Sequence, residues 1–404
     1  MNKKTAIIIS PNYKDYAKKY LVECFNSIKN QDCENEMKIF ISDNESTEES
    51  YSYLKNILRE DKIPLTPFAK GGNSEIIRNK NNDGFAKGNN DAIKKSLEQG
   101  FEYIILFNMD TVLAPDCVKK MVIAVEEGNR ILDSLHYLAN CENDQGEDEK
   151  TKSDNMGKIA AVQARLMLYD DNPSANSGQR NKINSLGNVT HFLGFGYAKG
   201  YGEEYDLEMT NDKFPMTNEI AYASGAAVLF TREALLKVGL FDEEMWMYNE
   251  DQDLGWRLWL AGYKCILAPE AVAYHKYEFA RSIKKYYFMD RNRIIATFKN
   301  YRCATLLLIL PASLIMEIGL LFFSARGGWF KEKINVYKYF LHLKNWRYII
   351  KARNQSQKLR QVKDKDIIKL FSGKIWYQEI GGVKLMAANI LFNFYWRIIK
   401  VFII

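Results

Sequence analysis

Tyr103-Ile104-Ile105-Leu106-Phe107-Asn108-Met109-Asp110-Thr111 sets five consecutive large apolar residues directly against a polar cluster. A run this short, β-branched and aromatic and closed by turn formers, reads as a strand buried on both faces, the kind found in parallel sheets. Three upstream runs repeat the pattern. Ala6-Ile7-Ile8-Ile9 ends in Ser10-Pro11-Asn12-Tyr13, Lys38-Ile39-Phe40-Ile41 ends in Ser42-Asp43-Asn44-Glu45-Ser46, and Glu75-Ile76-Ile77 precedes Asn81-Asn82-Asp83-Gly84. Helix-like stretches separate these runs as far as Ile123, and that alternation predicts an α/β fold with parallel strands joined by crossover helices. Open α/β sheets bind ligands beyond the carboxyl ends of their strands, so four converging polar clusters predict a nucleotide-sized site.

Further along, the pattern fades between Glu126 and Lys158 into ENDQGEDEKTKSDN, an acidic stretch too poor in apolar residues to order itself well and expected as an exposed insertion. Strand signals resume at Ile159-Ala160-Ala161-Val162 and from Ala221 to Phe230, and a helix is expected from about Asp251 to Ala261, capped by Gly262. The expected organisation is a nucleotide-binding half over 1–123, an acidic insertion over 124–158, an acceptor-binding and catalytic half over 159–299, and a helical region over 300–404.

With 404 residues, 47% of them hydrophobic and 26% charged, wholesale disorder, collagen and a simple coiled coil are excluded. The net charge of +6 is uneven: Arg326 to Lys384 holds fifteen Lys/Arg against four Asp/Glu. Six scattered cysteines without a CxxC pair, and an opening MNKKTAIIIS with too short an apolar stretch for a secretory signal, predict a reduced, cytoplasmic setting. Two apolar segments flank the basic region, Cys303 to Ala325 and Leu385 to Ile404. If both spanned a bilayer, the cations between them would lie on the far side, against the cytoplasmic preference of Lys and Arg. Pro311 and Glu317 interrupt the first segment, and Arg397 and Lys400 the second. A hairpin or in-plane helices at the cytoplasmic membrane face, with cations on anionic headgroups, is the expectation. No nucleic-acid-binding motif accompanies the basic residues.

The first strand is followed by no glycine, which argues against a dinucleotide fingerprint, and no GxxxxGK[ST] appears. Asp43 and Asn44 either cap a helix or read a base edge or ribose hydroxyl. Asn82-Asp83-Gly84-Phe85-Ala86-Lys87-Gly88-Asn89-Asn90 opens a helix whose free N–H groups would suit a diphosphate, or is an ordinary cap. Asp110 at a strand end is a turn residue or a ligand for a divalent cation bridging phosphates. Met245-Trp246-Met247-Tyr248-Asn249-Glu250-Asp251-Gln252-Asp253 combines aromatics with three acids at a helix start. Acids are favoured there by the helix dipole, and an acid pair beside rings also suits sugar chemistry, with a carboxylate as general base. His275 is packed or metal-bound, and a mixed Asp/His set would suit Mn²⁺ as well as Mg²⁺.

Taken in order, IIISPNYKDY, FISDNES, NNDGFAKGNN, ILFNMDT, ASGAAVLFTREALLKVGLFDE, MYNEDQDLGWRLWLAGYK and AYHKYEF resemble the inverting GT-A glycosyltransferases of family 2, especially the rhamnosyltransferase-like branch, over about residues 5–299. The resemblance implies a GT-A fold, a Rossmann-like nucleotide-binding half on a mixed sheet. It implies that Asn12, Asp43, Asn44, Asn82, Gly84, Phe85, Asn89 and Asn108 hold a nucleotide-sugar donor. Asp110 and His275 would carry Mn²⁺ or Mg²⁺, with Asn108 standing where the strict pattern has a first aspartate. Asp251 would be the base, with Glu250 as its deputy. Ser224, Gly225, Trp246 and Tyr248 would line the acceptor and sugar. The implied function is transfer from a UDP- or dTDP-sugar to a hydroxyl of a glycan, lipid-linked acceptor. The rivals are a sugar-nucleotide-binding protein without turnover and a membrane scaffold. A nucleotidylyltransferase is disfavoured by the missing Gly-rich, Lys-bearing loop after the first strand.

Overall fold

The computed structural model describes residues 3–33, 36–60, 74–142, 157–169, 182–205, 218–277, 285–376 and 383–404. Most of the acidic ENDQGEDEKTKSDN stretch lies outside the described residues. The first half runs β1 (Thr5–Asn12), α1 (Tyr16–Lys29), β2 (Met37–Asn44), α2 (Glu48–Glu60), β3 (Ser74–Asn79), α3 (Gly84–Glu98), β4 (Tyr103–Phe107), β5 (Thr111–Leu113) and α4 (Cys117–Glu142). Then come β6 (Ile159–Leu168), β7 (Ile183–Ser185), β8 (Asn188–His191), β9 (Gly196–Ala198), β10 (Ala227–Thr231), α5 (Arg232–Val238), α6 (Glu250–Leu260) and β11 (Lys264–His275). The remainder is α7 (Lys285–Asn300), α8 (Cys303–Arg326), α9 (Phe330–Leu341), α10 (Leu343–Lys358), α11 (Asp364–Ile367), β12 (Phe371–Ser372) and α12 (Val383–Ile399).

The main sheet has the order β3-β2-β1-β4-β10-β6-β11-β5, with β7 added to β6. β1, β2, β3 and β4 are parallel, as the sequence predicts, and β10 turns the sheet mixed by pairing antiparallel with both β4 and β6. The unbroken apolar runs have a direct cause in the two covering layers. Ile7, Ile9, Ile39, Ile41, Ile105 and Phe107 pack on the side of α1, α2 and α4, while Ala6, Ile8, Phe40, Ile104 and Leu106 pack on the side of α3, α5 and α6. Alternate side chains leave a strand on opposite faces, so a strand covered on both needs apolar residues at every position.

Two expectations change. Helix α4 runs to Glu142, and Val125 and Leu132 are buried in the core, so the start of the stretch expected as an insertion is packed helix. Only Ala227–Thr231 of the expected strand from Ala221 to Phe230 is extended. The backbone before it turns because the Ser224 N–H donates to Gln163 Oε1 (2.8 Å) and the Gly225 N–H donates to Asp251 Oδ2 (3.3 Å).

Helices α7 to α12 pack onto the sheet domain through α7, and α8 carries few buried residues. One helix among the described residues, α8, is long and apolar enough to cross a membrane, with 11% of its apolar window buried. A second, shorter sheet, β12-β8-β9, joins the C-terminal region to the sheet domain.

Candidate functional site

Topology unites two residues that lie 165 positions apart. Antiparallel pairing of β11 with β5 sets His275 opposite Thr111, and the Lys276 N–H donates to the Asp110 carbonyl (2.9 Å). His275 Nε2 then lies 3.2 Å from Asp110 Oδ1, and its Nδ1 lies 3.1 Å from Asn184 Oδ1. Both Asp110 and His275 are buried. His275 Nε2 and Asp110 Oδ1 thus face each other within hydrogen-bonding distance, and in the tautomer that gives the Nδ1 proton to Asn184 the two would suit a shared cation. Nearby in sequence, Asn108 Oδ1 is buried without a hydrogen-bond partner. Among the described residues no cluster of three or more His, Cys, Asp or Glu forms, so a divalent ion here would draw its other ligands from phosphate oxygens and water, a coordination that suits Mg²⁺ or Mn²⁺.

A cleft of about 460 Å³ opens at the carboxyl ends of β1, β2 and β4, lined by Ser10, Asn44, Asn82, Gly84, Phe85 and Asn108 on one side and by Trp246, Tyr248 and Phe288 on the other. A hollow of about 790 Å³ at the opposite end of the strands, around Lys3, Tyr103 and Arg232, gathers none of the expected site residues. Asn12 is fully employed inside the fold: its Oδ1 accepts from the Ala17 N–H (2.9 Å) and its Nδ2 donates to Asp43 Oδ1 (2.8 Å). Asn44 likewise donates to the Gly84 carbonyl (2.9 Å) and accepts from Asn79 Nδ2 (2.9 Å). Asp43 differs, because its Oδ2 is buried with no hydrogen-bond partner and the nearest cation, Arg78 Nε, is 3.8 Å away. Asn89 donates to the Phe85 carbonyl (2.9 Å) while its Oδ1 is also buried and unpartnered.

By sequence the start of α3 either suits a diphosphate or is an ordinary cap; its Gly84 N–H donates to Asn82 Oδ1 (3.2 Å) and its Ala86 N–H to the Trp246 carbonyl (3.0 Å). The turn binds the loop before α6. Gly84 is required there, since its φ is +85° and a Cβ would lie 2.6 Å from the Trp246 ring.

That loop is strained. Trp246, Tyr248 and Asn249 have φ of 61°, 66° and 63°, each costing on the order of 1 kcal/mol in a non-glycine residue, less for Asn. It delivers Asp251, partly buried, to the Ser224–Ala226 turn. Asp251 Oδ2 accepts from the Gly225 N–H, and a Cβ on Gly225 would lie 3.1 Å from the Phe85 ring. The Asn108 N–H donates to the Ala226 carbonyl (2.9 Å), so one short turn links the acid to the cleft floor. Burial raises the Asp251 carboxyl to about 6 against the pull of the Gly225 and Gln252 N–H groups. Glu250 is buried with Oε2 unpartnered, and burial together with the Asp251 charge pushes it well above the usual carboxylate range. The third acid has another task. Burial works against the Asp253 charge, but Lys299 and Arg257 outweigh it and bring its carboxyl down to about 2, inside a network with Asn300.

Two residues that sequence reasoning passed over hold the loop. Asn292 Nδ2 lies within hydrogen-bonding distance of the carbonyls of Met245 (2.8 Å), Met247 (3.0 Å) and Tyr248 (2.7 Å). Arg291 donates to the Glu244 carbonyl (2.6 Å), and Trp246 stacks on Phe288 with centroids 4.8 Å apart. The available signal was the polar triplet Arg291-Asn292-Arg293, which is buried entirely on α7.

Residues 7–198 match the family model described as Glycosyl transferase family 2. A 63-residue stretch is 43% identical to the N-acetylglucosaminyl-diphospho-decaprenol L-rhamnosyltransferase of Mycobacterium tuberculosis, covering 15% of this chain and 20% of that one. Over 276 residues the chain is 25% identical to the uncharacterized glycosyltransferase YfnE of Bacillus subtilis, covering 67% of this chain and 64% of that one. The matches thus span less than two thirds of either relative. Among solved structures, S. aureus TarS 1–349 in complex with UDP aligns at TM-score 0.44 with 14% identity, over 98% of this chain and 90% of that one. The mannosyltransferase PcManGT from Pyrobaculum calidifontis in complex with GDP-Man and Mn²⁺ aligns at 0.40 with 13% identity, over 100% and 85%.

Proposed function

We propose that this chain, whose residues 7–198 match the model of glycosyl transferase family 2, is an inverting glycosyltransferase that moves a sugar from a UDP- or dTDP-linked donor to a hydroxyl of a lipid-linked glycan at the cytoplasmic face of the membrane. The observation that supports this reading most directly is the Ser224–Ala226 turn, which joins the Asp251 carboxylate to the floor of the cleft at Asn108 and Phe85. The local likeness to a rhamnosyltransferase named for a diphospho-decaprenol substrate supports the lipid-linked acceptor.

The cleft at the ends of β1, β2 and β4 takes the nucleotide, with the unpartnered Asn108 Oδ1 on its lining as an acceptor for its hydroxyl and N–H groups and Asp43 and Asn89, whose Oδ2 and Oδ1 are also unpartnered, behind that lining. Asp110 and His275 hold Mn²⁺ or Mg²⁺. Bound there, the ion supplies neutralisation of the negative charge that develops on the leaving diphosphate. Asp251 accepts the proton of the acceptor hydroxyl as that oxygen bonds to the anomeric carbon, and the electron pair of the breaking bond leaves on the diphosphate oxygen. Displacement from the opposite face inverts the configuration. Gly225 fixes one Asp251 oxygen, and burial and the neighbouring Asp251 charge disfavour a charged Glu250, which leaves Asp251 as the base. Trp246 and Tyr248 offer ring faces to the sugar. The donor half comprises 1–123, with α4 continuing its core beyond that bound, the acceptor half is 159–299, and 300–404 lies at the membrane.

The test is binding and turnover of UDP-, dTDP- and GDP-sugars with Mn²⁺ or Mg²⁺, on wild type and Asp251→Asn. Binding by both with turnover only in wild type supports the reading. A folded protein that binds none of these donors refutes it and favours a scaffold.

A further inference from the structure

The small sheet β12-β8-β9 serves two different neighbours. Thr190 faces the sheet domain, where its hydroxyl accepts from Gln252 Nε2 (3.1 Å) next to Asp251 in sequence. Val189 and Tyr197, paired across β8 and β9 one position along, line a hollow of about 510 Å³ on the other face, as side-chain alternation requires. Helix α12 closes that hollow, with Trp396 stacked on Phe192 at 4.8 Å as a rigid wall.

Four cations line it: Lys199, Lys369, Arg397 and Lys400, with no Asp or Glu among the described lining residues. Among the described residues the one ion pair any of them makes is Lys369 with Asp366, at 3.8 Å and with the lysine side chain 72% exposed. Four like charges around one hollow repel each other, and an anion with several acceptor oxygens relieves that repulsion.

The rim is apolar. Ile390, Phe394, Ile398 and Phe402 stand exposed along α12 and its end, and Leu307, Leu314, Ile318 and Phe322 along α8, which packs against it. Water is a poor solvent for such a stripe, and a row of apolar side chains beside a basic pocket matches the two halves of a phospholipid. We propose that this hollow binds the phosphate-bearing head group of a membrane lipid, with the hydrocarbon taken up against α8 and α12. The proposal rests on the membrane-face reading above and adds a specific site to it. It places the anchor across one thin sheet from the helix that carries Asp251.

The experiment is co-sedimentation of the full chain with phosphatidylcholine vesicles, with and without phosphatidylglycerol. The pocket variant is Lys199→Gln/Arg397→Gln/Lys400→Gln. The control, Arg347→Gln/Lys351→Gln/Lys358→Gln, removes equal charge from α10. A site predicts that phosphatidylglycerol binding falls about a hundredfold in the pocket variant, at about fivefold per cation, and by under a tenth as much in the control. Equal losses in both would mean diffuse charge and overturn the site. Absence of vesicle binding in wild type would also overturn it. So would protection of wild type, but not the pocket variant, by inorganic phosphate in thermal melts without any vesicle binding, since that marks a site for free phosphate. UDP-sugar binding measured on the same proteins reports on the donor reading separately, and melting curves exclude misfolding.

Discussion

Asp251 and Glu250 are adjacent carboxylates in unequal surroundings. Asp251 receives N–H groups from Gly225 and Gln252, whereas Glu250 Oε2 has no partner, so burial raises Glu250 well above the usual carboxylate range and raises Asp251 to about 6. A general base is active only when ionised, so kcat/KM should rise with pH through a midpoint near 6 and level off above it, as a pH–rate profile would read. Asp251→Asn should lower kcat by roughly 10²–10⁴-fold with donor affinity retained, measured by turnover and calorimetric titration. The same change should raise the melting temperature at neutral pH. The folded-state value of about 6 exceeds the reference 3.8, so the native state binds the proton more tightly and stability falls as pH rises from about 4 to 6. Removing the charge recovers roughly 1–3 kcal/mol at pH 7.

At the scale of elements, the loop before α6 is held by its neighbours rather than by its own preferences. Three left-handed non-glycine residues within four positions persist because Asn292 on α7 and the Ala86 N–H on α3 engage the carbonyls of the loop. Asn292→Ala leaves those carbonyls short of a donor, and should cost about 2–3 kcal/mol in denaturant melts. It should also lower kcat by more than it raises the donor KM, because the loop positions Asp251 while the proposed donor cleft is also lined by Ser10, Asn44 and Asn108 at the strand ends. Asn292→Gln, too long for the same three contacts, should not restore kcat.

Across the whole molecule, a buried charge cluster fastens the C-terminal helices to the sheet domain. Glu317 on α8 meets Lys333 on α9 (2.5 Å) and Arg293 on α7, and Asp290 on α7 meets the same two cations, at 2.6 Å from Lys333. Glu317, a polar interruption of the apolar segment in sequence, points inward and turns the apolar stripe of α8 outward. Glu317→Gln leaves two buried cations with one carboxylate, and should destabilise the chain by about 3 kcal/mol, read as a drop in melting temperature. Because Arg293 adjoins Asn292, activity should fall in the same variant while isolated nucleotide binding persists.

The layered α/β core is legible in the chain's own pattern, since strands covered on both faces need apolar residues at every position, and runs such as Tyr103 to Phe107 announce themselves. The sequence also singled out Asp43, Asn89, Asn108 and Glu250, four residues that carry buried, unpartnered oxygens in the fold. Local pattern could not tell that Asn12 and Asn44 spend their amides on the scaffold, that the α3 turn grips Trp246, or that Asp253 is neutralised from α7. Apart from the Asn12 contact with Ala17, five residues on, each of those facts is a pairing across forty residues or more, invisible to spacing. The meeting of Asp110 with His275 and of Asn292 with the loop before α6 was decided only by tertiary structure, because strand register and helix docking, not chain neighbourhood, set which side chains share a site.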